Sequence, residues 1–123
     1  MDTRISTGEL EVLRILWREK RPLKVSEFRD ELEELKGWNK STTATVVTRL
    51  RDKGYIEPVE RYGVARYITL ISEEEYTLAE SRAVLERFPS AKALALAMVR
   101  NGNLTDRDIE ELREYFTMGG EEQ

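Results

Sequence analysis

The sequence contains no cysteine and no histidine. That excludes disulfides, thiolate or imidazole metal sites, cysteine nucleophiles and every mechanism built on a histidine base. Only three prolines and seven glycines punctuate the 123 residues. No apolar run approaches the roughly 20 residues needed to span a bilayer. The opening Met1-Asp2-Thr3-Arg4-Ile5-Ser6 has no signal-peptide pattern. These absences lead to the expectation of a soluble, cytoplasmic protein with no cofactor and no metal. Charge is plentiful, at 36% of residues, beside a 40% hydrophobic share that suffices for a compact core. The length fits one domain, or one small domain with an appendage.

The net charge of −4 hides a division along the chain. Residues 1–71 carry 14 Lys+Arg against 12 Asp+Glu, whereas residues 72–123 carry 6 against 12. The segment 36–66 is more basic still, with Lys36, Lys40, Arg49, Arg51, Lys53, Arg61 and Arg66 opposed only by Asp52, Glu57 and Glu60. A basic segment in an acidic protein suits an anionic polymer, although charge alone fits an ordinary surface fluctuation equally well.

Ser6-Thr7-Gly8-Glu9 forms a capping box with Ile5 and Leu10 as its hydrophobic staple. Leu10, Leu13 and Trp17 continue at helical spacing, and Arg21-Pro22 ends this first helix near residue 20. Ser26 is a fitting N-cap for a second helix that carries Phe28, Leu32 and Leu35 toward Gly37. Asn39 caps a third, from Lys40 to Lys53, stopped by Gly54. At about 100° per residue, Thr43, Val46, Val47 and Leu50 share one side of it. The opposite side presents Ser41, Thr45, Thr48 and Asp52, flanked by Ala44 and Arg49. One face is core, and the other offers short hydroxyls and methyls with basic groups at its margins.

Two β-rich runs follow, Tyr55 to Glu60 and Val64 to Leu70, around a turn at Arg61-Tyr62-Gly63. Pro58 cannot donate a ladder bond and so places the first run at an edge or a bulge. The remainder reads as helices: one from about Ser72 to Phe88 before Pro89, one over 91–99 that is apolar almost all round, and one capped by Thr105-Asp106-Arg107-Asp108. The tail from Gly119 is expected to fray.

Three helices and a β-hairpin in this order predict a mainly α fold, a winged helix-turn-helix (residues 1–71) with a C-terminal helical dimerisation region (residues 72–123). In such a domain the third helix enters the major groove, where each base pair has its own donor and acceptor pattern. Ser41 and Thr45 are then placed for base edges or phosphates, threonine methyls for the thymine methyl, Arg49 for guanine or phosphate, and Lys40 for a phosphate at the helix N-terminus. Arg61 and Arg66 on the wing flank the backbone or minor groove. The competing reading is a solvated face on a winged-helix module that docks proteins, and Asp52 on the outward face counts slightly toward it. Trp17 and Trp38 read as packing groups rather than base-stacking platforms.

The stretch 91–99 has more apolar positions than two small neighbouring helices can cover. A homodimer interface formed by Leu94, Leu96, Met98, Ile109, Leu112 and Phe116 explains the surplus, and it pairs two recognition helices on a two-fold site. The alternative is a monomer whose extra helices fold back on the winged domain. Catalysis has little to work with: Glu33, Glu34, Glu73, Glu74 and Glu75 are the acid/base candidates, and they read as solvated faces or caps.

The run Ile5 to Trp17, the run Trp38 to Leu50, the Lys53-Gly54-Tyr55-Ile56 stretch, Tyr67, and the final Leu104 to Arg113 together resemble the penicillinase repressor family (BlaI/MecI/CopY) over nearly the whole chain. The resemblance implies a cytoplasmic homodimeric repressor on palindromic DNA operators. It also implies recognition contacts from Ser41, Thr42, Ala44, Thr45, Thr48 and Arg49. For members that control β-lactam resistance it implies a membrane sensor-protease as partner, whose signalling leads to cleavage of an Asn-Phe bond. The aligned position here is Ala97-Met98. Copper-responsive members carry a cysteine-rich C-terminal motif, which this chain lacks. Ala44 also replaces a longer side chain of some members, so a different operator sequence is expected.

Overall fold

The computed structural model describes residues 4–118. In chain order it contains α1 (Thr7–Glu19), α2 (Val25–Lys36), α3 (Lys40–Asp52), β1 (Ile56–Arg61), β2 (Val64–Thr69), α4 (Glu73–Leu85), α5 (Ala91–Arg100) and α6 (Asp106–Met118). The chain clusters into two compact units, Met1–Leu78 and Ala79–Gln123. The tail from Gly119, expected to fray, lies outside the described residues.

Local chemistry sets the helix ends of the first unit. The Glu9 amide donates to the Ser6 hydroxyl at 3.1 Å, and the Ser6 amide donates to the Glu9 carboxylate at 2.9 Å, completing the capping box of α1. Lys20 closes that helix in the left-handed conformation, ahead of Pro22. Ser26 does not cap α2. The helix starts earlier because Glu27 reaches back to accept the Lys24 amide at 3.0 Å, and Ser26 falls inside the first turn. Gly37, at φ 70°, supplies the left-handed stop of α2 that a side chain would resist.

Packing follows the apolar stripes. Val12, Leu13, Ile15 and Leu16 of α1, Phe28 and Leu32 of α2, Val47 and Leu50 of α3, and Leu23, Ile56 and Tyr67 form one buried cluster. Each such side chain contributes roughly 1.5–3 kcal/mol on leaving water. Trp38 packs against this cluster and against Gly8, where an added Cβ would lie 3.1 Å from the indole. The Trp17 indole N–H donates to the Ile71 carbonyl at 3.0 Å, and its ring lies 5.7 Å from that of Tyr76. Both tryptophans therefore pack and anchor.

The hairpin is antiparallel, with Ile56 opposite Thr69 and Arg61 opposite Val64. Arg61 is the last residue of β1 rather than part of the turn, which consists of Tyr62 and Gly63 alone. Pro58 pairs with Tyr67, whose own N–H and C=O both turn away to Leu23, at 2.7 and 3.1 Å. At that position β1 needs no donor, so a proline fits.

In the remaining helices, Ser72 and Glu75 cap α4 reciprocally at 3.0 Å, Ser90 caps α5, and Thr105 with Asp108 caps α6. α4 ends at Leu85, short of the expected Phe88. Arg87 and Phe88 turn their amides to carbonyls three residues back, tightening the chain before Pro89. No described residue of α4, α5 or α6 is fully buried. Among the described residues, no helix is long and apolar enough to cross a membrane.

Candidate nucleic-acid interface

α3 carries two chemically different faces. Asn39 starts it by accepting the Thr42 amide at 2.8 Å. Thr43, Val47 and Leu50 then point into the core, essentially without solvent contact. The Thr43 hydroxyl finds no partner among the described residues, so this β-branched residue is held there by its methyl and its shape. Ser41, Thr42, Thr45, Thr48 and Arg49 are exposed, as is Lys40 in the first turn, and Ala44 is half-buried. Ser41, Ala44, Thr45, Thr48 and Arg49 line one shallow depression. The Thr45 hydroxyl donates to the Ser41 carbonyl at 2.9 Å. It therefore offers outward its lone pairs and its methyl, a surface suited to a donor and to an apolar group.

The seven basic residues of 36–66 divide by partner. Lys36 lies 3.8 Å from Glu11, Arg51 3.3 Å from Asp52, and Lys53 2.6 Å from Glu9. Among the described residues, Lys40, Arg49, Arg61 and Arg66 face no carboxylate within ion-pair distance. These four are the cations left to meet an external anion. Asp52, the one acid on the outward face of α3, is taken up by Arg51. Arg61 and Arg66 sit on the hairpin and line a second depression with Arg21, Pro22, Val59 and Tyr62. Of the residues named from sequence, Ser41, Ala44, Thr45, Thr48 and Arg49 share the helix depression and Arg61 and Arg66 the hairpin one, whereas Lys40 and Thr42 are exposed but line neither.

Glu9 has a role that its sequence neighbours do not disclose. Its carboxylate is nearly inaccessible, and it accepts from the Lys53 ammonium, which also donates to the Arg4 carbonyl at 2.6 Å. The C-terminal end of α3 is thereby tied to the N-terminal end of α1. Burial pushes the Glu9 carboxyl up, but the hydrogen bonds from Lys53 and Ser6 outweigh it and hold the group below the ordinary carboxylate value. Because the folded value is depressed, the stability from this site is complete above the unfolded pKa and is lost as pH falls through the folded one. Lys53→Met is expected to destabilise the protein by about 2–3 kcal/mol at neutral pH, below the full range for a buried pair because Lys53 reaches solvent. In denaturant titrations, the deficit should narrow once pH falls far enough to protonate Glu9.

The second unit carries unpaired apolar surface. Leu96 and Val99 of α5 are exposed, and Leu94 and Met98 are half-buried. On α6, Ile109 is half-buried, whereas Leu112, Tyr115 and Phe116 are exposed, the last at 69%. Of the carboxylates weighed for catalysis, Glu33, Glu34, Glu73 and Glu74 are solvent-exposed, and Glu75 serves as a cap.

The sequence matches the family described as Penicillinase repressor over residues 5–118. The Methicillin resistance regulatory protein MecI of Staphylococcus aureus (strain N315) is 29% identical over 111 residues, covering 89% of each chain. The Penicillinase repressor of Bacillus licheniformis is 29% identical over 110 residues, 88% of this chain and 85% of its own. A solved mutant structure of Lactococcus lactis ZitR covers 99% of this chain and 77% of its own, with 14% identity and a TM-score of 0.48.

Proposed function

This chain belongs to the penicillinase repressor family, and on that premise we propose that it represses transcription as a homodimer bound to a palindromic operator. It is a DNA-binding regulator and not an enzyme. The winged domain, residues 1–71, binds the duplex, and residues 72–123 join two copies. α3 lies in the major groove with Ser41, Thr42, Ala44, Thr45, Thr48 and Arg49 at base edges and nearby phosphates. Lys40 meets a phosphate at the helix N-terminus, while Arg61 and Arg66 hold the adjoining backbone. Bound in the cytoplasm across a promoter, the dimer excludes RNA polymerase without performing chemistry.

The single observation behind this reading is the outward face of α3: short hydroxyls, a methyl surface and an arginine unpaired among the described residues, on a helix whose other side is core. Small side chains let a helix approach base edges closely, and an arginine without a carboxylate partner is free for an anion. The dimer is supported by the second unit, where α5 and α6 bury no described residue and leave Leu96, Leu112 and Phe116 in water. A two-fold pairing covers such faces with copies of themselves.

Fluorescence anisotropy against DNA from upstream of its own gene tests the proposal. Binding should weaken by roughly 10³-fold or more between about 50 and 200 mM salt, because neutralised phosphates release counterions. Salt-insensitive binding, or none, contradicts it. Stoichiometric co-purification of another protein without DNA binding would favour a protein-docking module instead.

A further inference from the structure

The wing ends in a residue that its turn disfavours. Tyr62 and Gly63 join β1 to β2 with φ of 56° and 74°, so both central residues of the two-residue turn are left-handed. This turn matches the twist of a hairpin, and asparagine, aspartate or glycine are the residues that adopt it readily. A tyrosine there is strained. The fold gains nothing visible from its side chain: the residue is 95% exposed. Among the described residues its phenol makes no hydrogen bond and its ring no aromatic contact.

The surroundings say what such a ring can meet. Val59 pairs with Arg66, and Arg61 with Val64, so Arg61 and Arg66 are diagonal neighbours on one face of the hairpin, directly behind the tip. They share a depression with Tyr62, and no carboxylate among the described residues neutralises them. The third arginine there, Arg21, is engaged by Glu27 at 2.8 Å and Glu19 at 3.6 Å. An exposed aromatic tip backed by two free cations suits a narrow anionic cleft.

We infer that Tyr62 determines specificity at positions α3 does not touch, by placing its ring in the minor groove beside the major-groove site while Arg61 and Arg66 hold the bordering phosphates. This rests on the reading of α3 as the major-groove helix. The minor groove is about 6 Å wide, so a flat ring enters where a two-stranded hairpin does not. Its floor presents acceptors at A·T pairs and adds the guanine 2-amino group at G·C pairs. A phenol donates to the former, and its ring is obstructed by the latter.

The test uses the intact protein and the operator duplex mapped by footprinting upstream of its own gene. Flanking pairs are made A·T, G·C or inosine·C, the last resembling G·C in the major groove and A·T in the minor. Wild type should bind the G·C-flanked duplex about fivefold to tenfold more weakly than the A·T-flanked one, with inosine·C restoring affinity. Tyr62→Asn should bind the A·T-flanked duplex with the reduced affinity and no longer distinguish the three flanks. Its melting temperature should hold or rise, because asparagine accepts the left-handed backbone. A merely structural tyrosine would instead lower stability and affinity together. Wild-type binding that ignores the flank, inosine·C behaving as G·C, or Tyr62→Asn behaving as wild type each overturns the inference while leaving the repressor reading intact. If wild type binds no site at all, the repressor reading fails, and this inference fails with it.

Discussion

Arg49→Glu is expected to abolish specific operator binding, with a loss of about 100-fold or more, while costing the fold less than about 1 kcal/mol. Arg49 is exposed beside Thr45 and Thr48, and no carboxylate among the described residues is in reach of it. Removing its cation gives up one charge-assisted contact, and installing a carboxylate adds repulsion from the phosphates. Together these reach roughly 3 kcal/mol, since each 1.4 kcal/mol is tenfold. The folded state loses little because the side chain is exposed. Its only penalty is an anion near the C-terminal end of a helix. Anisotropy and thermal melting on the same preparation check both halves. Unchanged binding contradicts the assignment, and binding lost only through unfolding does not support it.

The double substitution Leu112→Asp with Phe116→Asp is expected to convert a dimer into a monomer and to weaken operator binding by about 100-fold or more. The two residues stand one turn apart on α6 and are exposed at 44% and 69%. In a two-fold interface each substitution acts twice, placing four carboxylates where apolar surface would meet. A monomer engages one half-site and forfeits the effective concentration that linkage gives the second, typically worth about 10²–10⁴. Because neither residue is buried within its own chain, the winged domain should keep its fold. Sedimentation and anisotropy together decide: a monomeric wild type, or a variant that stays dimeric, contradicts the assignment.

What the sequence disclosed was local. Ser6 with Glu9, Asn39, and Thr105 with Asp108 could be placed because a cap needs only groups three residues apart. The inward side of α3 followed from periodicity, which put Thr43, Val47 and Leu50 together. The unpaired cations required the structure, since the partners that remove Lys36, Arg51 and Lys53 from the free set include Glu11 and Glu9, far away in sequence. The part-buried Glu9–Lys53 pair spans 44 residues, and nothing in the capping motif signals its second use. The Leu23–Tyr67 bridge that accommodates Pro58 is equally non-local. Where the structure departs from the local pattern, the causes are local too. Ser26 has the chemistry of a cap, but Glu27 accepting the Lys24 amide starts α2 earlier. Pro89 alone puts the end of α4 at Phe88, but the helix closes at Leu85 and the chain tightens at Arg87 and Phe88. The strain at Tyr62 is not legible in the sequence, which supplies a turn's composition without its φ angles.

The most direct measurement of whether the outward face of α3 reads sequence is a scan of all single-base-pair variants of the operator, bound by wild type, Thr45→Ala and Thr48→Ala. If these threonines touch base edges, each alanine variant loses discrimination at about one or two positions per half-site, by roughly 1–3 kcal/mol, and keeps it elsewhere. An equal loss on every sequence would contradict this, because it would leave Thr45 and Thr48 holding the backbone and reading nothing.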